Sequence, residues 1–545
     1  MHKLALSGLH ILVVDDQRPF QVMLKGILKS LGMANIQFAN SGEQALNRCS
    51  QTEFDLLFVD YNLGAGKNGR QLLEDLREKQ LLKPSAIFII VTGENTVSMV
   101  MSAVETEPDD YLIKPFSQSL LKTRLLKLQQ KKQHLAALYE ALYQHQSEDV
   151  IAECENEIAA NGRYEQYCRR VLAETLLNQQ NFPALEQLLG DSMQLRRPTW
   201  ALLLSARARL QQQDYQSCTQ LCDEIIEVNR LCAQALDIKC HCQLAQGDTA
   251  GAMQSINQAI NIAPFQLGRQ YLLLRVARQA TSPLDMVQAS KQIYELTRRT
   301  AKQDVMHLLN YIRTMLDAIG SLDEPAKRNK LQQETLLLLH RSQKDELALK
   351  DVDFERFEQL CMARLDAIEG RFHQAKKTAD KVCDKMTGIE AETPDLVMLL
   401  MDIGEFEGAD HFFARYSSHT TPDPVLADML AQHQQQSEDK RQQLSTLNKA
   451  GMDRYQDGKY QEAMQLFEQA LQVAPANTVA ALNLIQAMLQ VLESQQKHKS
   501  LALYQRCRQV FKTIEQALLM EHHQQRYNEL QQQYQGYRHE LKQSS

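Results

Sequence analysis

Apolar residues in the first 116 positions gather into short unbroken runs, and the stretches between them carry helical spacing. The runs are His10 to Val14, Asn35 to Phe38, Phe54 to Val59, Ala86 to Val91 and Asp110 to Ile113. Helices are predicted over Phe20 to Leu31, from a Ser41 cap to about Cys49, over Gly69 to Lys79 and over Asn95 to Thr106. Pro19 suits the first turn of the first helix, and Ser41 can accept a hydrogen bond from an open helix N-terminus. Continuous apolar strands that alternate with helices predict a five-stranded parallel sheet covered on both faces, in a doubly wound α/β fold. In such sheets ligands bind beyond the carboxyl ends of the strands.

The chemistry of the segment falls at those ends. The first run ends in Asp15-Asp16, the third in Asp60, the fourth in Thr92-Gly93 and the fifth in Lys114-Pro115. Three carboxylates on one rim repel one another unless a hard divalent cation sits among them. Mg²⁺ suits such an oxygen-only set and leaves positions open for phosphate oxygens. Lys114 supplies a compact positive charge, and the Thr92 hydroxyl a hydrogen bond, for a phosphoryl group. Phosphoryl transfer asks for a placed nucleophile and charge neutralisation, and Asp60 at the central strand is the natural nucleophile.

These residues resemble the receiver domain of two-component response regulators, over about residues 9–130. A flavodoxin-like domain with acids placed by chance is the plain alternative. The resemblance implies that Asp60 accepts phosphate from a sensor histidine kinase. It implies that Asp16, Asp60 and the Asn62 backbone carbonyl bind Mg²⁺ directly, with Asp15 acting through water, and that the peptide before Pro115 is cis. Thr92 and Tyr111 take the places of the family's switch residues: Thr92 turns to the phosphoryl group, Tyr111 moves inward, and the face of helix 4, strand 5 and helix 5 repacks. Asn62 and Glu94 stand where receivers tune the access of water to the phosphoryl group. One departure is Gly64, where the family usually has Pro, in a loop one residue longer; it bears on loop rigidity and kinase fit rather than on the metal ligands.

Beyond the receiver a different pattern repeats. Asp149, Phe182, Tyr215, Thr249 and Pro283 stand 33 or 34 residues apart, and each is followed three residues on by Ala152, Leu185, Cys218, Ala252 or Met286. Phe372 and Phe406 repeat the spacing, followed by Ala375 and Ala409. The clearest copy includes Gly451, Tyr455, Gly458, Ala463, Phe467, Ala470 and Pro475; Ala252, Ile256, Ala259 and Pro264 match it in part. The order A-x₃-F-x₂-A-x₄-P resembles the second half of a tetratricopeptide repeat (TPR), a helical hairpin that buries its apolar face only by stacking on neighbours. An all-α superhelical solenoid of roughly eight or nine hairpins is expected over 135–545, with another kind of α-solenoid open for the middle. The expected organisation is a tail (1–8), a receiver (9–130), one continuous helix joining it to the repeats (117–147), TPR-like repeats (148–300), divergent helical repeats (301–440), and a TPR repeat with capping helices (441–545). In the joining helix Leu121, Leu125, Leu128, Leu135 and Leu142 fit either a short homodimer seam or, preferably, packing on the receiver and the first repeat.

Composition trims the functional options. The net charge of the 545 residues is −7, and residues 1–130 are balanced at 14 basic and 14 acidic, so the acidic excess lies in the repeats. That surface repels phosphates and argues against nucleic acid as a partner. No membrane span or signal peptide is expected, and the chain is placed in the cytoplasm. Eleven scattered cysteines then read as reduced thiols. Cys218, Cys222, Cys232, Cys240 and Cys242, with His241 between the last two, invite a zinc reading, but the repeat register matches Cys218, Cys222 and Cys240 to the core positions Ala463, Phe467 and Gly451, where Cys packs as a small apolar residue. His522-His523 reads as solvent-facing. The expected function is a response regulator, not a conventional enzyme, in which phosphorylation controls binding of one or more proteins by the TPR array. A phosphate sink, or a constitutive scaffold indifferent to phosphorylation, is the alternative.

Overall fold

The computed structural model describes residues 8–64, 66–93, 96–193, 197–343, 352–386, 388, 390–419, 423–494, 501–514 and 521–543. The chain forms two compact units, one ending at His307 and the other beginning at Leu308.

The first unit opens with the sheet: β1 (Ile11–Val14), α1 (Arg18–Ser30), β2 (Ile36–Ala39), α2 (Gly42–Gln51), β3 (Leu56–Asp60), α3 (Gly69–Glu78), β4 (Ile87–Thr92), α4 (Val97–Glu105), β5 (Asp110–Ile113) and α5 (Gln118–His134). All pairings are parallel and the strand order is β2-β1-β3-β4-β5. Alternate strand residues point to opposite faces, so two cores form. Ile11, Val13, Phe58 and Ile89 pack with Leu24 and Leu28 of α1 and with Leu121 and Leu125 of α5. Leu12, Val14, Leu57, Val59 and Ile90 pack with Ala45 of α2, Leu72 and Leu76 of α3 and Ala103 of α4. The α2 cap is the Ser41 side chain, which accepts from the Gln44 amide at 3.2 Å.

The helix leaving the sheet departs from expectation. It is not continuous over 117–147: α5 stops at His134, Leu135 leaves helical geometry (φ −99°, ψ 27°), and α6 (Ala136–Tyr143) ends before His145, whose φ is +56°. The seam leucines are consumed within the chain. Leu121 and Leu125 are buried in the sheet core, with Leu128 packed against it, and Leu135 joins the first core of the helical array, with Leu142 packed against that.

The array of the first unit continues with α7 (Ser147–Ala159), α8 (Glu165–Asn178), α9 (Phe182–Met193), α10 (Thr199–Gln211), α11 (Tyr215–Val228), α12 (Ala233–Ala245), α13 (Thr249–Ile262), α14 (Leu267–Gln279) and α15 (Pro283–Thr297). The 33–34-residue period therefore marks where the second helix of each pair begins. Leu185, Cys218, Ala252 and Met286 are buried, as helix-on-helix stacking demands. The first copy is out of phase: α7 starts two residues before Asp149, Ala152 is exposed, and Val150 and Cys154 are buried instead. Between the paired helices one residue turns left-handed: Gln180, Gln213, Gly247 and Thr281 all have positive φ. At Gln213 the amide reaches back to Leu210 and the next amide to Arg209, which closes the helix end.

α16 (Val305–Ser321) begins three residues before the boundary, and the second unit goes on with α17 (Pro325–Ser342), α18 (Phe354–Ile368), α19 (Phe372–Lys385), α20 (Thr393–Ile403), α21 (Phe406–His419), α22 (Pro424–Gln456), α23 (Tyr460–Val473), α24 (Thr478–Ser494), α25 (Leu501–Ile514) and α26 (Glu521–Gln543). The boundary expected at 440/441 falls inside α22, which spans 33 residues. The small residues of the clearest repeat are needed for contact. A Cβ on Gly451 would stand 2.5 Å from the Phe467 ring, and Ala463 and Ala470 are fully buried. A buried charge cluster fixes α16, α18, α20 and α22: Arg364 bonds Asp317 at 2.7 Å and Asp402 at 3.2 Å, and His433 lies 3.0 Å from Asp317 and 3.2 Å from Asp402. Among the described residues no helix is long and apolar enough to cross a membrane.

Candidate functional site

The carboxyl ends of β1, β3, β4 and β5 bring the expected rim together. Asp15 and Asp60 are 1% and 5% exposed, and Asp16 faces solvent. One ligand oxygen from each of the three lies within 4.8 Å of the others. The Lys114 ammonium bridges the two buried acids, 2.7 Å from the Asp15 Oδ2 and 2.7 Å from the Asp60 Oδ2. Its backbone amide donates to the Thr92 carbonyl at 2.7 Å, which locks the end of β5 to β4, and the Lys114–Pro115 peptide is cis. Thr92 is buried at the neighbouring strand end. Tyr111 is half-buried and, like Met99 of α4, packs against the α2–α4 side of the sheet. Asn62 is exposed; its amide donates to the Asp60 Oδ1 at 3.3 Å. Glu94 lies outside the described residues.

Local conformation explains the glycines. Gly64 has φ +76°, which Pro cannot adopt, so the loop after Asp60 follows a path closed to a proline there. A Cβ on Gly69 would come within 2.4 Å of the Asp60 carbonyl oxygen; only Gly lets α3 start directly under the acid. Gly93 has open space around its Cβ position, so no steric demand fixes it.

Two residues on α1 were not singled out by the strand-end reading. The Phe20 ring lies under the Lys114 ammonium, 3.9 Å from ring centroid to Nζ, and Phe116 meets it edge-on. Gln21 donates to the Asp15 carbonyl at 2.7 Å and to the Asn40 side chain at 2.8 Å, tying β1, α1 and β2 behind the acids. Their signal lay in position: both sit one turn into the helix that follows Asp15-Asp16.

The electrostatics suit a cation and an incoming anion. Burial pushes the Asp60 carboxyl up to about 6; the Asp15 charge adds to the rise and Lys114 opposes it. Three carboxylates face one ammonium, so a divalent ion would cancel the remaining excess, and the oxygen-only donors suit a hard one such as Mg²⁺. Asp15, Asp16 and Asp60 fit that role.

The other clusters divide differently. Cys218, Cys222, Cys240 and Cys242 are fully buried free thiols within the array, and burial pushes the Cys240 thiol up to about 12. His522 and His523 do not simply face solvent: both pair with Glu407, at 3.2 and 3.0 Å, and the His523 side chain is 12% exposed.

Sheet order and rim define a receiver-type α/β domain. Residues 11–126 match the response regulator receiver domain family and residues 454–491 the tetratricopeptide repeat family. Over 128 residues the chain is 30% identical to the chemotaxis protein CheY-3 of Vibrio cholerae, covering 24% of this chain and 97% of that protein. It is 31% identical to the chemotaxis protein CheY of Pseudomonas aeruginosa, covering 22% and 94%. Among solved structures it resembles the BeF3-activated DrrB receiver domain, at 25% identity and TM-score 0.20, over 22% of this chain and 96% of that one. The chain belongs to the response regulators, with a receiver at its N-terminal end and TPR structure in its helical part.

Proposed function

We propose that the chain is a phosphorylation-controlled regulator whose Asp60 takes a phosphoryl group from the phosphohistidine of a sensor kinase. The observation that carries this reading is the Lys114 ammonium held 2.7 Å from both buried acids at the shared strand ends. A carboxylate oxygen of Asp60 attacks phosphorus, the phosphorus–nitrogen bond to the kinase imidazole breaks, and the freed imidazole nitrogen takes a proton. Lys114 offers its charge to the phosphoryl oxygens and Thr92 its hydroxyl. Asp15, Asp16, Asp60 and the Asn62 carbonyl would hold Mg²⁺, which supplies charge neutralisation when bound. Tyr111 serves as the packing partner that responds to Thr92, and Asn62 with Glu94 sets how water reaches the acyl phosphate.

The helical array is the output and binds one or more proteins. Support for a protein partner lies in its acidic balance and in repeats that form stacked helical surfaces. Eleven free cysteines support a reducing, cytoplasmic setting. The test is partner capture by the full chain with and without phosphodonor, in wild type and in Asp60→Asn. Capture that changes with phosphodonor only in wild type supports the reading. Phosphorylated protein with unchanged capture favours a phosphate sink.

A further inference from the structure

Helix α4 follows Thr92 after a short link and is lightly held by the sheet. Only Ser102 and Ala103 are buried, its Thr96 cap makes no side-chain hydrogen bond, and Val97 and Val104 are 54% and 49% exposed. Its outer side instead faces the helical array of the same unit. Met101 packs on Ala233 and Leu236 of α12 and on Ala259 and Ala263 at the end of α13.

At the last residue of α4 stands Glu105, and against it the side chain of Arg269 from α14, which is 0% exposed. Arg269 Nη2 donates to Glu105 Oε1 at 2.8 Å and Nη1 to Oε2 at 3.2 Å. The other edge of the guanidinium donates to Asp237 of α12, at 2.8 Å from Nε and 2.7 Å from Nη2, and Nη1 also reaches the Ala263 carbonyl. A carboxylate at a helix C-terminus works against the helix dipole. Glu105 therefore does not serve α4 itself; it serves the contact with Arg269. Beside the same helix lies a cavity of about 510 Å³ bordered by Met101, Val104, Trp200 and Leu203, and along its edge Glu107, two residues past the helix end, pairs with Arg170 of α8 at the surface.

We infer that Arg269 is a positioning residue for the chemistry at Asp60: through Glu105 it holds α4, and with it the Thr92 end of β4, in the arrangement that fits the unphosphorylated rim. The inference rests on Asp60 being the phosphoacceptor. A phosphoryl group that draws the Thr92 hydroxyl toward itself pulls on the link to α4, while Arg269 holds the far end of that helix. The two therefore oppose each other, and the coupling is reciprocal: phosphorylation loosens the clasp as much as the clasp disfavours the phosphorylated state. This route to the array leaves α4, in contrast to a single rigid helix running on from α5.

The test uses the full chain, Mg²⁺ and acetyl phosphate at limiting concentration, with the phosphorylated fraction read by intact mass. Glu105→Gln is the milder variant and Arg269→Met the stronger. Each is expected to raise the phosphorylated fraction relative to the unphosphorylated one by about fivefold or more. The double variant should do no more than either single one, because both remove one contact. Arg269→Lys keeps the charge without the fork and should fall between. Hydrogen exchange adds a readout that a merely structural residue would not move: phosphodonor should lower protection of residues 97–106 in wild type, not in Asp60→Asn, and should add little further loss in Arg269→Met, where the contact is already open. Ratios within about twofold of wild type in Glu105→Gln and Arg269→Met, with wild type itself phosphorylated, overturn the inference and leave the phosphoacceptor reading standing. A wild-type chain that takes no phosphoryl group overturns that reading and the clasp with it.

Discussion

Replacing Lys114 by Met removes the cation held between two buried acids. Its ammonium is 2.7 Å from each, and the Asp15 and Asp60 side chains are 1% and 6% exposed. Truncating one partner of a buried ion pair costs ~3–5 kcal/mol, because the charge left behind has neither water nor a partner. Lys114 is itself 15% exposed, which places the expected loss at the low end, about 3 kcal/mol. The loss must depend on pH. Asp60 already titrates at about 6 in the folded chain, and without Lys114 it titrates higher. A carboxyl with a raised folded pKa penalises the folded state above that pKa, and the penalty fades as pH falls toward the unfolded value of about 3.9. In metal-free buffer the variant should therefore lose most stability near about pH 8 and clearly less near about pH 5. Added Mg²⁺ should restore part of the loss at the higher pH. The assay is denaturant-dependent hydrogen exchange of β1 and β3 in the full chain. Equal destabilisation at both pH values, or a loss below about 0.5 kcal/mol, would refute the charge argument.

Other expectations concern the helical part. His433 is held protonated up to about 9 by Asp317 and Asp402 despite its burial, so its stabilisation is complete below pH 6.5 and lost between about 6.5 and 9. That amounts to about 3 kcal/mol for the second unit, checked by exchange of α22 across the window, and His433→Gln should flatten the profile. Gln213 sits at φ +62°, so Gln213→Gly should stabilise the α10–α11 turn by about 1 kcal/mol, and a lower denaturation midpoint would contradict it. Gly451→Ala drives a methyl against the Phe467 ring and should cost about 1–3 kcal/mol in melts of the second unit.

The strand ends were legible because a doubly buried strand reads as an unbroken apolar run, and the first polar residue after it marks the rim. Asp60 announced itself that way, and Lys114 as the first polar residue after the half-buried edge strand β5; Phe20 and Gln21 gave no such sign, since their role depends on how α1 crosses the acids. The repeat period was legible from small buried residues such as Cys218, Ala252 and Ala463. Its turns were hidden wherever Gln180, Gln213 or Thr281 takes the left-handed position that glycine usually signals. Ala152 misled because the period slips by two residues at α7, which starts at Ser147 and buries Val150 and Cys154. The break at Leu135 carries neither Gly nor Pro; the leucine turns aside to enter the array core. Arg269, Arg313 and Arg364 are fully buried, each offset by carboxylates far away in sequence. Pairing at such separations leaves no local pattern.

Intact-mass and peptide mapping of the full chain after exposure to acetyl phosphate and Mg²⁺ bear most directly on the whole account. One phosphoryl group on Asp60, absent in Asp60→Asn and depleted in Lys114→Met, is the predicted result. A chain that stays unmodified, or carries the group on another residue, contradicts it.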